Sequence, residues 1–123
     1  MKNTKMLKKN YEFRKVLTKG KYYSGKYIEA FILKNNQKNN LLGLAISTKV
    51  AHAVTRNHIK RLIRENYKIA EETIKTGYSI VFLWKKKADV KNAVFNNIKE
   101  DMLTIIEKAK INKENIWKKY LFV

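Results

Sequence analysis

Thr55-Arg56-Asn57-His58-Ile59-Lys60-Arg61-Leu62-Ile63-Arg64-Glu65-Asn66 is both the cleanest amphipathic helix in the chain and its densest group of guanidinium groups. At about 100° per residue, Arg56, Asn57, Lys60, Arg61, Arg64 and Lys68 fan over one arc of roughly 140°, whereas His58, Ile59, Leu62, Ile63, Asn66, Ile69 and Ala70 take the opposite side. The pattern predicts a helix that sets one side on a core and offers the other to an anion. The chain carries four arginines against twenty-four lysines, and three of the four lie between positions 56 and 64. A planar guanidinium makes the bidentate contacts that phosphate recognition asks for, so this placement of Arg in a Lys-rich chain is informative.

Thr55 is read as the cap of this helix, which is predicted to run to about Lys75 before Gly77 stops it. Glu71 and Glu72 fall within or beside the basic arc, which confines the anion-binding surface to Arg56 through Lys68. Beyond it, Tyr78 to Trp84 is apolar on both faces and reads as a buried strand, flanked by Lys85, Lys86 and Lys87. Asp89 is read as the cap of a further helix whose stripe of Val90, Val94, Ile98, Met102, Ile105 and Ala109 continues through about Lys110, and residues 112–123 add a short helix.

Upstream, Tyr27 to Leu33 alternates, with Tyr27, Glu29, Phe31 and Leu33 on one face and Ile28, Ala30 and Ile32 on the better core face. The polar stretch Asn35 to Asn40 joins it to a second strand, Leu41 to Ser47, as an antiparallel hairpin. Asn10 caps a first helix from Tyr11 to Lys19, built on Phe13, Val16 and Leu17, and Gly20 ends it in a left-handed conformation. The predicted order is α-β-β-α-β-α. This is an α+β fold, a small mixed sheet packed with helices, in one domain over residues 1–123 with its core at about 7–110 and a C-terminal extension at 111–123.

Formal net charge of +18 exceeds what solubility requires and points to a polyanionic partner, nucleic acid first. The absence of cysteine excludes disulfides and thiolate metal sites and is compatible with a reducing cytosol. The basic N-terminus lacks an apolar signal region, and the longest wholly apolar run, Ile80 to Trp84, is too short for a bilayer, so the expectation is a soluble cytoplasmic protein with no membrane partner.

The two aspartates, Asp89 and Asp101, both lie in the C-terminal helical segment, where a carboxylate metal cage is hard to assemble, and no Gly-rich phosphate loop occurs. His58 falls toward the apolar side, and neither it nor His52 is assigned a catalytic role. No catalytic residue, metal ligand or protein-bound cofactor is therefore expected. What remains is an interaction surface: the basic helix, and Phe13 and Phe31, which stack on unpaired bases or pack in a core with equal ease. A helix-turn-helix DNA reader needs a second helix just before the basic one, where the strand Leu41 to Ile46 stands, so DNA is not an expected partner.

The run Arg56 to Glu65 resembles the arginine-asparagine signature helix of the bacterial ribonuclease P protein subunit. Phe13-Arg14-Lys15-Val16-Leu17-Thr18-Lys19-Gly20, the strand Leu42 to Ser47 and the strand Gly77 to Val81 accompany it in the family's order and spacing, so the resemblance spans about residues 7–110. It implies the small subunit of a ribonucleoprotein that trims the 5′ leader from precursor tRNA, with Mg²⁺-dependent catalysis supplied by the RNA subunit. The implied partners are the catalytic RNA and precursor tRNA. It also implies a left-handed βαβ crossover through the signature helix, against the usual hand.

Position by position, the resemblance assigns Arg56, Asn57, Lys60, Arg61 and Arg64 to the catalytic RNA, with Lys68 continuing their arc. It assigns Phe13, Leu17 and Phe31 to a cleft for the single-stranded leader, edged by Lys49. The chain departs from the family where Leu17 replaces a usual aromatic residue, His58 a frequent Arg and Ala51 a common Gly. Leucine offers apolar contact without π-stacking. A non-catalytic ribosomal or ribosome-associated RNA binder fits the charge and the small fold as well, and precursor-tRNA cleavage by a reconstituted particle separates the two.

Overall fold

The computed structural model describes residues 1–113. Along them run β1 (Thr4–Met6), α1 (Asn10–Lys19), β2 (Lys21–Ser24), β3 (Ile28–Lys34), β4 (Asn40–Leu44), α2 (Ala53–Ala70), β5 (Tyr78–Trp84) and α3 (Phe95–Ala109). A strand that is apolar on both faces needs a neighbour on each edge and a layer over each face, and β5 has all four. The sheet order is β1-β4-β5-β3-β2, with β5 parallel to β4 and antiparallel to β3. On one face, Ile28, Ala30, Ile32, Leu42, Ile80, Phe82 and Trp84 pack with Ile59, Ile63 and Tyr67 of α2 and Ile98, Met102 and Ile105 of α3. On the other, α1 lies over a smaller cluster centred on Leu7, Val16 and Val81.

The even-numbered face of β3 is the core face, as the alternation predicts. The predicted hairpin is not formed: β5 lies between β3 and β4, which share no ladder. A polar connection between two strands looks like a hairpin loop locally, but the strand with the most apolar surface to cover takes the position between them. Two edge strands, β1 and β2, were not predicted; they are short and polar, and their pairing with β4 and β3 holds them.

Several helix ends also differ. Helix α1 starts at Asn10 after Lys9, without a side-chain cap, and Gly20 is extended at φ −73° rather than left-handed. Its glycine serves close approach, since a Cβ there would collide with the Val16 carbonyl oxygen. Helix α2 starts two residues before Thr55 and ends at Ala70, where a single 3-10 turn, Glu71–Thr73, takes over. Asp89 caps a 3-10 turn at Val90–Asn92, and α3 starts only at Phe95, which leaves Val94 exposed outside the stripe. The core continues to Ile111, and Ile74 bridges to Asn112. The helix expected near the C-terminus lies outside the described residues. Among the described residues, no helix is long and apolar enough to cross a membrane.

Two buried carboxylates tie elements together through hydrogen bonds, and neither pairs with a Lys or Arg side chain among the described residues. Asp101 on α3 accepts backbone N–H groups of Lys26 (2.9 Å), Tyr27 (2.6 Å) and Ile28 (3.0 Å), docking the β2–β3 turn on the helix. Glu71 accepts the Lys2 N–H at 2.9 Å and the hydroxyl of Thr4, whose oxygen is also 2.8 Å from the Tyr67 hydroxyl. This carboxylate therefore faces inward to β1, not outward beside the basic arc as predicted, because α2 ends at Ala70 and Glu71 opens the 3-10 turn.

Burial pushes the Glu71 carboxyl up, but the hydrogen bonds from Thr4, Lys2 and Asn3, with the charge of the N-terminus adding to them, outweigh it and hold the group below its ordinary value of 4.5. A carboxyl with a depressed folded-state pKa contributes stability above its unfolded pKa and loses it as pH falls through the folded one. The melting temperature is expected to drop on acidification below about pH 4.5. Glu71→Gln is expected to cost about 2 kcal/mol near neutral pH, the range for hydrogen bonds to a charged group, and to flatten that acid dependence. Melts of the variant that track the unsubstituted chain at every pH contradict this role.

Candidate RNA interface

Helix α2 sorts its side chains as a crossover on a sheet demands. Ile59, Leu62, Ile63, Asn66, Tyr67 and Ala70 are buried. The Asn66 amide donates to the carbonyls of Leu62 at 3.0 Å and Phe95 at 3.3 Å, so even the polar member of the inner face locks α2 to the start of α3. Asn57, Arg61 and Lys68 are exposed, and Arg56, Lys60 and Arg64 are half-buried. Arg56 has one commitment already, donating through Nη1 to the Ala51 carbonyl at 2.9 Å, which steadies the turn into the helix.

Arg61 is held by neighbours on its own helix. Its Nε lies 3.8 Å from the Glu65 carboxylate, a pair exposed on both sides, and its Nη2 is 3.3 Å from the His58 ring. An exposed pair of this kind is worth about 0–1 kcal/mol, so phosphate competes with Glu65 at little cost. His58 is exposed and belongs to this outer surface, not to the apolar side where the helical projection put it. Ile69, also expected inside, is 64% exposed. Both residues sit at the margin of the stripe, where the tilt of the helix on its neighbours decides the outcome.

The second group of predicted residues does assemble. Phe13, Leu17 and Phe31 are half-buried and pack on the Leu7, Val16 and Val81 cluster between α1 and the outer sheet face. Gly43 in β4 makes room for them: a Cβ there would fall 2.5 Å from the Phe13 ring. Lys49 is not part of this cluster; it is exposed in the turn where its N–H donates to the Ser47 hydroxyl. That turn joins β4 to α2, hence the outer-face cluster to the basic helix on the other layer.

Tyr22 belongs with these residues and was missed. Register pairs it with Phe31, which puts both on the outer face, and their ring centroids are 5.3 Å apart. The ring is 49% exposed, and its hydroxyl donates to Glu29 at 2.6 Å; that hydrogen bond, with burial adding to it, pushes the phenol pKa up and keeps it neutral. Recognising β2 as a strand would have found it by alternation. Among the described residues, no group of three His, Asp or Glu side chains is placed to hold a metal.

The family model of ribonuclease P matches residues 1–110. The chain belongs to the ribonuclease P protein family. It is 39% identical over 110 residues to the ribonuclease P protein component of Clostridioides difficile, covering 89% of this chain and 95% of that one. It is 38% identical over 112 residues to that of a Clostridium botulinum strain, covering 90% and 98%. The RNase P protein of Staphylococcus aureus superposes with a TM-score of 0.76 at 27% identity, over 88% of this chain and 97% of that one. That of Thermotoga maritima shares the fold, with a TM-score of 0.75 over 85% and 96% at 24% identity. Membership makes the chain the protein component of a tRNA-processing ribonucleoprotein endoribonuclease whose partner is ribonuclease P RNA, and it decides against the ribosomal alternative.

With a net charge of +18 in 123 residues, self-repulsion works against the folded state, and an anion bound at the α2 arc would relieve it. A ligand that binds only the folded state adds about 2.7 kcal/mol at a hundredfold excess over its Kd. Sulfate or a short oligonucleotide is therefore expected to raise the melting temperature, and Arg61→Ala combined with Arg64→Ala to reduce the rise. A midpoint unchanged across millimolar sulfate contradicts anion binding at this surface.

Proposed function

We propose that Arg56, Asn57, Lys60, Arg61, Arg64 and Lys68 seat the chain on ribonuclease P RNA, while Phe13, Leu17, Phe31 and Tyr22 take the single-stranded 5′ leader of precursor tRNA, with Lys49 on the path between. The observation that carries this reading is the gathering of those apolar and aromatic side chains on a sheet face covered by one helix alone. Its flanks expose ring and aliphatic surface to solvent, which suits bases that have no partner strand. Tyr22 supplies part of the aromatic surface that Leu17 lacks.

In this reading the RNA performs the cleavage with Mg²⁺ held by its own phosphates, and the protein contributes position and charge. The side chains proposed for contact are cationic, amide, aromatic or aliphatic, a set suited to phosphate and base, and the carboxylates beside them, Glu65 and Glu29, are engaged by Arg61 and Tyr22. The chain acts in the cytoplasm, as a single RNA-binding unit.

Leader recognition is tested by the Kd of the reconstituted particle for precursor and mature tRNA. Phe31→Ala is expected to weaken precursor binding by about 1–3 kcal/mol per lost stack and to spare mature tRNA. Because Phe31 is half-buried, Tyr22→Ala serves as the second variant, and circular dichroism checks both folds. Leu17→Phe is expected to tighten precursor binding. Equal weakening toward both RNAs places these rings in the core and removes the leader site. For the basic helix, each phosphate neutralised releases about 0.7–0.9 counterions, so Arg61→Ala or Arg64→Ala is expected to weaken RNA binding and flatten its salt dependence, with Lys38→Ala in the β3–β4 loop as control. Equal losses at all three positions show diffuse charge without a seat on α2.

A further inference from the structure

Helix α1 divides the outer sheet face into two troughs, and the leader reading uses one of them. Phe13 and Leu17, one turn apart, form one flank of the helix. The opposite flank, through Tyr11, Glu12 and Lys15, walls a separate cavity of about 360 Å³. Its floor is apolar, from Leu7, Val16, Leu33 and Leu41, and its far wall is the start of the β3–β4 loop. None of Phe13, Leu17, Phe31 or Tyr22 lines it.

The chemistry of this cavity fits one nucleotide unit of a single-stranded RNA. Its volume is at the lower end of the range for small-ligand sites. The Tyr11 ring is 64% exposed, and Lys9 Nζ stands 5.8 Å from its centroid, which leaves an aromatic face for a base. Lys15 and Lys34, on opposite walls, are exposed and form no ion pair among the described residues, as a phosphate between them requires. Asn36 and Gln37 are exposed at the rim, and their side-chain amides make no hydrogen bond among the described residues, so both are open to a base edge. Glu12 accepts the Lys8 N–H at 3.4 Å and keeps acceptor capacity toward an exocyclic amine. Asn35, by contrast, is fully engaged: it accepts from Gln37 N–H at 2.8 Å and donates to Asn39 and Ser79, which holds the loop wall in place.

We infer that this cavity is a second nucleotide-binding site, on the side of α1 away from the Phe13 cluster, taking an unpaired base on Tyr11 and its phosphate between Lys15 and Lys34. The inference rests on the ribonuclease P reading for its source of RNA. The nucleotide comes either from the leader or from an unpaired stretch of the catalytic RNA.

The test is photocrosslinking in the reconstituted particle with p-benzoylphenylalanine in place of Tyr11 and, separately, in place of Phe13. Position 11 is expected to crosslink to an unpaired nucleotide. Dependence of that crosslink on leader length assigns the nucleotide to precursor tRNA, and persistence with mature tRNA assigns it to the catalytic RNA. Tyr11→Ala, at an exposed position that spares the fold, is expected to weaken binding of that RNA roughly 5- to 150-fold, the equivalent of one lost stack. Crosslinking from position 13 but not 11, with Tyr11→Ala binding unchanged, overturns the second site and leaves the leader reading intact. Crosslinking from neither position overturns both.

Discussion

Two parallel strands that lie side by side cannot be joined by a tight turn, and the rest of the molecule follows from that constraint. Strands β4 and β5 are such a pair, and α2 is the crossover between them. The crossover has to lay one stripe on the sheet, which commits Ile59, Ile63 and Tyr67 to the core. The other side is then forced outward, and this is the side that carries the arginines. One packing requirement thus separates the core side from a cationic outer side along a single helix, with no dedicated scaffold for the charges.

The same sheet places the second surface. Because β5 is buried on both faces, a layer is needed opposite α2 and α3, and the ten-residue α1 is too narrow to cover the whole outer face. What it leaves open on its two flanks is partly apolar surface beside exposed lysine and aromatic side chains. The two inward carboxylates act in support: Asp101 holds the turn that leads into the strand bearing Phe31, and Glu71 holds β1 to the end of α2. Both are satisfied chiefly by backbone and hydroxyl donors, and neither forms an ion pair with a Lys or Arg side chain among the described residues.

Periodicity made much of this legible in the sequence. The alternation of Ile28, Ala30 and Ile32, the double-sided apolarity of Tyr78 to Trp84 and the stripe of α2 all report burial that local sequence alone determines. Pairing was less legible, because it depends on a partner far along the chain. Asn35 to Asn40 looked like the loop of a hairpin, yet β5, reached only after α2, separates the strands it connects. The edge strands β1 and β2 escaped for a related reason, and with β2 went Tyr22, whose position beside Phe31 is a matter of register. Glu71 was misplaced by one feature, the change from α to 3-10 geometry after Ala70, which turned an expected surface acid into an internal anchor. The family resemblance brought Phe13, Leu17 and Phe31 together where periodicity alone left core and cleft undecided.

The central claim is that this chain supplies binding and charge to a reaction performed by RNA. The most direct measurement is precursor-tRNA cleavage by ribonuclease P RNA, titrated with Mg²⁺ in the presence and absence of the protein. Correct 5′-end formation at low Mg²⁺ is expected only when the protein is present, with no cleavage by the protein without the RNA at any Mg²⁺ concentration. Cleavage by the protein alone, or an RNA reaction that the protein leaves unchanged across the titration, would contradict it.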